Sequence, residues 1–250
     1  MGLWFNRRWR WLTLLTLAAL AVLIRLGVWQ LERLEQRRAF NARVTAQLEQ
    51  PALNLSASTL TKNLTGLEYR AATVTGVYGF SQQVALRNQV YNGQLGVHLL
   101  TPLIISGTET AVLINRGWVP AEATAPEQWR AYDEPGTVEV SGRIRLSQNQ
   151  LVLGGMFDVQ GPSSAWNQVN VERIGQQIDW PLLPVYIQQT PTVAEASLPA
   201  RAEPPLDLSD GPHLSYALQW FLFAVVLAVG YPVLVWDTER KAGRLNLIPK

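Results

Sequence analysis

Residues 211–236 read GPHLSYALQWFLFAVVLAVGYPVLVW, and these 26 residues carry no formal charge. About 20 apolar residues cross the hydrocarbon core of a bilayer, so the stretch predicts a transmembrane helix over residues 214–236. Two aspartates precede it, whereas Arg240, Lys241 and Arg244 follow it. Because positive residues favour the cytoplasmic side, we expect the end near His213 to face outward. Residues 237–250 should then form a basic cytoplasmic tail.

One face of this predicted helix carries polar and aromatic side chains. His213, Tyr216 and Trp220 recur at helical spacing, so they form a stripe that begins at the outer surface and runs inward. A lone histidine at the mouth of a helix is usually only solvated, but a plain anchor has no need of such a stripe. The pattern therefore predicts a helix that does more than hold the protein in the bilayer.

A second apolar stretch lies at residues 11–31. Arg25 interrupts it, and the stretch spans a bilayer if the Arg25 side chain snorkels to the outer interface. A cleaved signal peptide is the alternative, because a basic start before a short apolar core matches that design. The usual small-residue cleavage site is missing, which favours a retained helix. Two spans put both termini on one side, and the basic residues at each end predict the cytoplasm.

Charge is unevenly distributed along the chain. Residues 1–44 have a net charge of +6, residues 45–210 of −6 and residues 211–250 of +2. An acidic central segment argues against a nucleic-acid partner, which needs a basic patch. The chain has no cysteine and two histidines, which disfavours disulfides and the usual zinc or copper sites. A membrane-bound hydrolase is a distant alternative, because the sequence has no Gly-x-Ser-x-Gly elbow.

Residues 32–210 predict one domain rich in β-strands. A helical pattern over residues 31–49 continues the first span and ends before Pro51. Beyond it, Asn92-Gly93 is a strong hairpin signal, and short turns between strands favour an antiparallel sheet that can curl into a small barrel. Strands are predicted at 72–78, 84–90, 95–105, 110–119, 138–146, 151–153 and 185–189, short helices at 126–132 and 171–178, and a proline-rich return at 190–212. The predicted fold is a membrane protein whose two transmembrane helices flank an α+β extracytoplasmic domain dominated by this barrel-like sheet.

The exit of the first span, residues 27–33 (GVWQLER), can contribute to a site. Gly27 permits the close approach of a second helix, and Gln30 can hydrogen-bond across that contact. Trp29 and Arg33 are also typical anchors at a membrane interface, which is the alternative interpretation.

Within the domain, residues 115–120 (NRGWVP) end a strand. Arg116 and Trp118 lie two residues apart, so they are predicted to share a face and to hold an anionic, planar group by charge and stacking. The alternative is an arginine paired with a carboxylate of the domain such as Glu139. His98 lies alone in an alternating strand and is predicted to be structural.

Taken together, these segments resemble the surfeit-locus family of cytochrome c oxidase assembly proteins. The resemblance rests on residues 27–34, Asn88 with Gly93 and residues 101–103, residues 115–120 (NRGWVP) and residues 213–221 (HLSYALQWF), which occur in the family's order. Eukaryotic members carry a mitochondrial presequence. Because the first apolar stretch begins at Trp11, we expect a bacterial inner-membrane form, with the main domain periplasmic.

The resemblance implies a helper without catalytic activity, which holds haem a while the cofactor enters the oxidase core subunit. That subunit and a haem a synthase would be its partners, besides the lipid bilayer. A haem needs an axial imidazole, flat apolar walls and cations for its propionates. The resemblance would give these roles to His213 as the metal ligand and to Tyr216, Trp220, Trp29, Arg33, Arg37, Arg116 and Trp118 as cofactor-binding residues. The alternative is a membrane-tethered scaffold that binds the oxidase subunit without contacting haem.

Overall fold

The computed structural model describes residues 7–60, 63–123, 125–148, 158, 161–191, 197–203 and 205–243. The predicted strand at 151–153 and the basic residue Arg244 lie outside these ranges. The chain forms two compact units. The helical unit contains the residues up to Arg43 and those from Asp207 onward, and the barrel unit contains Val44–Leu206.

Two long helices make up the helical unit. Helix α1 covers Arg10–Leu48 and helix α3 covers His213–Lys241, and both are long and apolar enough to cross a membrane, with a mean hydropathy of 2.1 in their most apolar windows. As predicted, α1 continues without a break from its apolar part into the polar lead-in and ends before Pro51. Helix α3 continues past the predicted span to Lys241, and its last turn carries Arg240 and Lys241, whose positive charges favour the C-terminal end of a helix.

Small and polar side chains mediate the contact between α1 and α3. A Cβ atom at Gly27 would lie 2.6 Å from Cε1 of Phe221, so this close approach requires glycine. The hydroxyl oxygens of Thr13 and Tyr231 are 2.5 Å apart, and Trp9 Nε1 donates to the buried carboxylate of Glu239 at 2.8 Å. Such contacts are typical of helices that associate in a bilayer, where apolar surface alone gives no preference for a partner helix.

In the described residues, the barrel unit contains eight strands and one short α-helix, besides the end of α1. Five of the strands close into a barrel in the order β2-β6-β8-β5-β4, and β4 pairs with β2 to complete it. The bounds are β1 Leu53–Leu55, β2 Ala71–Tyr78, β3 Val84–Tyr91, β4 Gln94–Ile105, β5 Ala111–Pro120, β6 Thr137–Leu146, β7 Ala165–Trp166, α2 Val171–Gly175 and β8 Leu182–Gln189. Numbered within the barrel, the strands run 1-2-3-5-4-1 with strands 3 and 5 parallel, which is the topology of the OB fold. That topology hosts many functions and indicates none by itself.

Most of the predicted elements are present. The hairpin between β3 and β4 turns at Asn92-Gly93, where both residues have positive φ, as a type I′ turn requires. The β4–β5 pair and the short helix at Pro126–Tyr132 also match the prediction. Two points differ: β8 begins at Leu182 instead of residue 185, and it pairs parallel to β5 because the chain crosses over through α2 before entering the barrel. Strands β1 and β7 were not predicted, since three and two residues give no readable alternation.

Strand β5 lies at the centre of the unit, and both of its faces are buried. Val112 and Ile114 point into the barrel, where they pack with residues such as Leu103, Val140 and Ile187. Leu113 belongs to a second cluster on the outside of the barrel, which α2 and β7 cover. Burial on both sides explains why this strand is an unbroken apolar run up to Asn115.

Candidate functional site

A cleft of about 520 Å³ lies in the helical unit, where α3 begins beside the middle of α1. Helical spacing brings its α1 residues onto one stripe, and the first turn of α3 faces them. The cleft is lined by Trp29, Gln30, Arg33, Gln36, Arg37 and Phe40 of α1 and by Pro212, His213 and Tyr216 at the start of α3. Five of the eight residues predicted for the site therefore line a single cleft.

His213 is held by a hydrogen bond that crosses from one helix to the other. Its ring nitrogen Nδ1 lies 2.9 Å from the side-chain oxygen Oε1 of Gln30, and the contact is partly buried. The Gln30 oxygen can only accept, so this contact is a hydrogen bond when Nδ1 carries the ring proton. The other nitrogen, Nε2, makes no hydrogen bond within the described part of the chain.

The two arginines of the cleft have different surroundings. Arg33 lies over the ring of Trp29 at 5.8 Å and donates to Gln36 at 3.1 Å, and it forms no ion pair with a described residue. Arg37 instead donates to the backbone oxygens of Ser209 and Asp207, at 3.0 and 2.5 Å, and holds the segment before α3. The backbone N–H of Ser209 lowers the pKa of the Asp207 carboxyl, with a smaller effect from Arg37. Arg33 is thus the cation with an uncompensated charge.

Aromatic side chains give the cleft flat apolar surfaces. Trp29 and Tyr216 keep 40% and 47% of their surface exposed. Trp220 follows one turn beyond Tyr216 along α3, where its ring meets Phe223 edge-on at 6.1 Å, and it does not line the cleft. Gln36 and Phe40 also line the cleft and were not predicted. Gln36 lies three residues and Phe40 seven residues after Arg33, and this helical spacing is the signal that could have identified them.

Arg116 and Trp118 belong to the barrel unit and neither lines the cleft. A β-bulge opposite Leu99 and Leu100 leaves Arg116 without a strand partner, so the regular alternation that predicted a shared face for Arg116 and Trp118 does not apply here. Arg116 is fully buried between the rings of Tyr78 and Phe80.

The surroundings of Arg116 are those of a structural ion pair. Its guanidinium donates to Gln83 Oε1 at 3.0 Å, to the backbone oxygen of Tyr132 and to Glu134 at 3.0 Å. The alternative interpretation, a carboxylate partner from the domain, therefore describes Arg116 better than an anion site does, although the carboxylate is Glu134 and not Glu139. Burial raises the pKa of Tyr78, although Arg116 partly opposes that effect.

Trp118 is buried and fastens the return segment to β5. Its backbone N–H and carbonyl both pair with Ala200, and its indole Nε1 donates to the backbone oxygen of Gln89 at 3.3 Å. A Cβ atom at Gly117 would lie 2.5 Å from the carbonyl oxygen of Ala200, so the segment can approach only a glycine here. Residues 115–120 thus close the barrel unit, and the structure gives them no exposed binding surface for a planar anion.

His98, predicted to be structural, lies in the barrel unit. Its Nδ1 is 3.0 Å from the side-chain nitrogen of Asn115, and burial lowers the pKa of its imidazole to about 4. The ring is therefore neutral at physiological pH.

Two further clefts, of about 560 and 750 Å³, lie on the barrel unit. The arginines of the first are already paired, Arg143 with Glu203 and Arg145 with Glu68. The second is lined mainly by apolar residues around Trp180 and Leu183, and no histidine is among the described residues of either lining. Among their described lining residues, neither of these clefts combines an imidazole, a free cation and aromatic walls, as the cleft in the helical unit does.

The cleft fits a metal carried by an organic ring better than a bare ion. Among the described residues, no group of three or more histidine, cysteine or acidic side chains could hold a metal ion. One imidazole with aromatic walls and a cation is the donor set that a haem needs from a protein. The volume of the cleft lies within the range of cofactor sites.

Comparisons with known proteins point to one family. The sequence model described as the SURF1 family matches residues 17–225. A SURF1-like protein of Monosiga brevicollis is 28% identical over 225 residues, which cover 82% of this chain and 80% of the relative. A SURF1-like protein of Rickettsia felis is 26% identical over 236 residues, covering 88% and 95%. The cytochrome oxidase assembly protein SHY1 of Saccharomyces cerevisiae is 31% identical over 102 residues, covering 41% of this chain and 26% of the relative.

Proposed function

The chain belongs to the SURF1 family, and on that premise we propose that it is an assembly factor for cytochrome oxidase that binds haem a in the cleft beside His213. The observation that carries the proposal is the cleft itself. It combines His213, the exposed rings of Trp29 and Tyr216 and the uncompensated Arg33 where α3 begins beside the middle of α1. The name of the SHY1 relative supports a role in cytochrome oxidase assembly. The imidazole, aromatic rings and cation of the cleft support haem as the cofactor.

Each side chain has a distinct role in this proposal. Haem a would supply an iron that accepts a nitrogen ligand, and Nε2 of His213 would hold it. Trp29 and Tyr216 would contact the faces of the ring, and Arg33 would pair with a propionate. Trp220 extends the aromatic face one turn further along α3.

The chain would act by holding and releasing the cofactor, without catalysing a reaction. One imidazole with no second strong ligand is suited to transfer, because few bonds need to break before the oxidase core subunit takes the haem. A haem a synthase is the proposed donor. Bacterial relatives and two apolar helices support a location in the inner membrane. We further propose two membrane passes, cytoplasmic termini and a periplasmic barrel unit, so reporters active only outside the membrane should work at residue 130 and fail at residue 250.

A scaffold that binds the oxidase subunit without haem is the second candidate. It is supported by an exposed apolar pair on the β3–β4 hairpin, where Val90 lies opposite Leu95 and both keep more than 60% of their surface exposed. Such a pair can contact another protein. Both functions can coexist, but only the first requires haem to bind this chain.

The test is the absorption spectrum of the protein purified from cells that make haem a. The wild type should carry haem, and His213→Ala should lose it while remaining folded in the membrane. The matched control is His98→Gln, which changes the other histidine and should leave haem content unchanged. If His213→Ala keeps the wild-type haem content and Soret position, the ligand lies elsewhere; if the wild type carries no haem, the scaffold is favoured.

A further inference from the structure

We propose that Gln30 and Gly211 are positioning residues, which present His213 in the Nδ1–H tautomer with Nε2 open toward a ligand. The use of this arrangement for haem rests on the proposed function above. The tautomer does not, because it follows from contacts that exist without any ligand.

The first observation is the Gln30–His213 hydrogen bond. Gln30 lies on α1 and His213 begins α3, and the two atoms Oε1 and Nδ1 are 2.9 Å apart. A neutral imidazole has one N–H, so the proton that Nδ1 donates to the Gln30 carbonyl is absent from Nε2. The lone pair that a metal requires is then located on Nε2. Most metal-ligating histidines are held in this way, by an acceptor on the nitrogen that does not bind the metal.

The second observation concerns the space around Nε2. A Cβ atom at Gly211 would lie 3.7 Å from Nε2 and 3.5 Å from Cδ2 of His213. Metal–imidazole bonds are about 2 Å long, and a side chain at position 211 would contact the edge of the ring that carries Nε2, next to the atom that a metal has to approach. Gly211 also has a φ of +68°, which glycine adopts without strain. The same glycine therefore makes the turn before α3 and leaves the nitrogen accessible.

His98 provides a comparison within the same chain, because its hydrogen bond places the proton on the other ring nitrogen. In the barrel unit, Asn115 Oδ1 accepts the backbone N–H of Gly117 at 3.2 Å, which orients the Asn115 amide. The Asn115 nitrogen then donates to Nδ1 of His98 at 3.0 Å, so the proton of His98 is on Nε2. The chain's two histidines should thus occupy opposite tautomers.

Nuclear magnetic resonance of the full-length, haem-free protein in lipid nanodiscs, labelled with ¹⁵N only at histidine, tests the tautomer directly. We expect one ring with a protonated Nδ1 and one with a protonated Nε2, and His98→Gln should remove the latter. Gln30→Leu should abolish the Nδ1–H pattern of His213 and leave His98 unchanged. Gln36→Leu, a matched change in the same cleft, should preserve both patterns. A wild-type His213 with its proton on Nε2 overturns the inference.

Haem titration then separates this inference from the proposed function. Gln30→Leu should weaken haem binding by about 10- to 100-fold. Gln30→Glu keeps an acceptor, so it should retain haem and lower its reduction potential. Gly211→Ala should weaken binding while leaving the Nδ1–H pattern in place. If the wild type binds no haem, the proposed function fails while the tautomer stands. If the wild type binds haem and Gln30→Leu matches it in affinity and potential, the positioning role fails.

Discussion

The polar cluster around Arg116 and the cleft around His213 contain the same kinds of side chain, namely an arginine, an amide and aromatic rings. Their partners differ. Arg116 has no exposed surface, and its hydrogen bonds go to residues of its own unit, among them Gln83 and Glu134. In the cleft, Arg33 forms no ion pair with any described residue, and His213 keeps one ring nitrogen beside a glycine.

The comparison separates stability from binding. A polar group whose partners come from its own fold is explained by the cost of burying it unpaired. A cation and an imidazole nitrogen that the fold leaves at least partly exposed and unpaired with described residues are available to a ligand. Both arginines lie in segments that carry the family resemblance, and only their surroundings tell the two roles apart.

The largest expected effect is the loss of stability in Arg116→Leu. Arg116 is fully buried, and removing one member of a buried ion pair typically costs about 3 kcal/mol or more. Glu134 stays paired with Arg201, but the backbone oxygen of Tyr132 loses the guanidinium, which supports a loss of about 3 kcal/mol. We expect that decrease in the free energy of unfolding, measured by denaturant titration of the barrel unit's tryptophan fluorescence in the full-length protein. The matched change Arg33→Leu should alter stability by less than about 0.5 kcal/mol. Equal losses in both variants would remove the distinction between the two sites.

A smaller effect is expected from acid on the buried His98. Its folded pKa of about 4 lies below the ordinary value of 6.5, so the unfolded chain binds more protons between these two pH values. The stability that the neutral ring contributes is present above pH 6.5 and is lost as the pH falls toward 4. The full loss amounts to about 3 kcal/mol. Unfolding measured at pH 7 and pH 4.5 should show about 2 kcal/mol of this loss in the wild type and a smaller loss in His98→Gln, and identical pH profiles would contradict it.

The smallest effect should come from Arg33→Ala, which tests whether the arginine of the cleft serves binding as the buried Arg116 serves stability. We expect haem affinity to fall about tenfold, or about 1.4 kcal/mol, because one cation–propionate pair is lost. Arg38→Ala is the control, since Arg38 pairs with Asp210 at 2.8 Å and does not line the cleft. A titration that gives the same affinity for both variants would show that Arg33 does not contact the cofactor.

Features that depend on local spacing could be predicted from the sequence. The pair His213 and Tyr216 follows from helical spacing, and the hairpin at residues 92–93 follows from its Asn-Gly turn. The family resemblance supplied Trp29, Arg33 and Arg37 as candidate site residues. The cleft could be assembled from these because it lies between two regular helices, whose faces periodicity determines.

Features that depend on contacts between distant segments could not be predicted. The bulge at Arg116 depends on one extra residue opposite β4, which the local pattern of β5 does not reveal. The choice of Glu134 over Glu139 as its partner, and the parallel pairing of β8 with β5, depend on how the barrel closes. An alternating pattern shows which side of a strand is apolar, but it does not name the neighbouring strand.

The hydrogen bond between Gln30 and His213 also determines when the site can exist during synthesis. The two residues are 183 positions apart, with the whole barrel unit between them in the chain. A nascent chain carries Trp29 and Arg33 from its earliest stage but gains the imidazole only after the last strand of the barrel has been made. A chain that stops before Gly211 lacks His213 and so lacks the imidazole that lines the cleft. If the cleft binds haem as proposed, only chains completed beyond His213 would capture it.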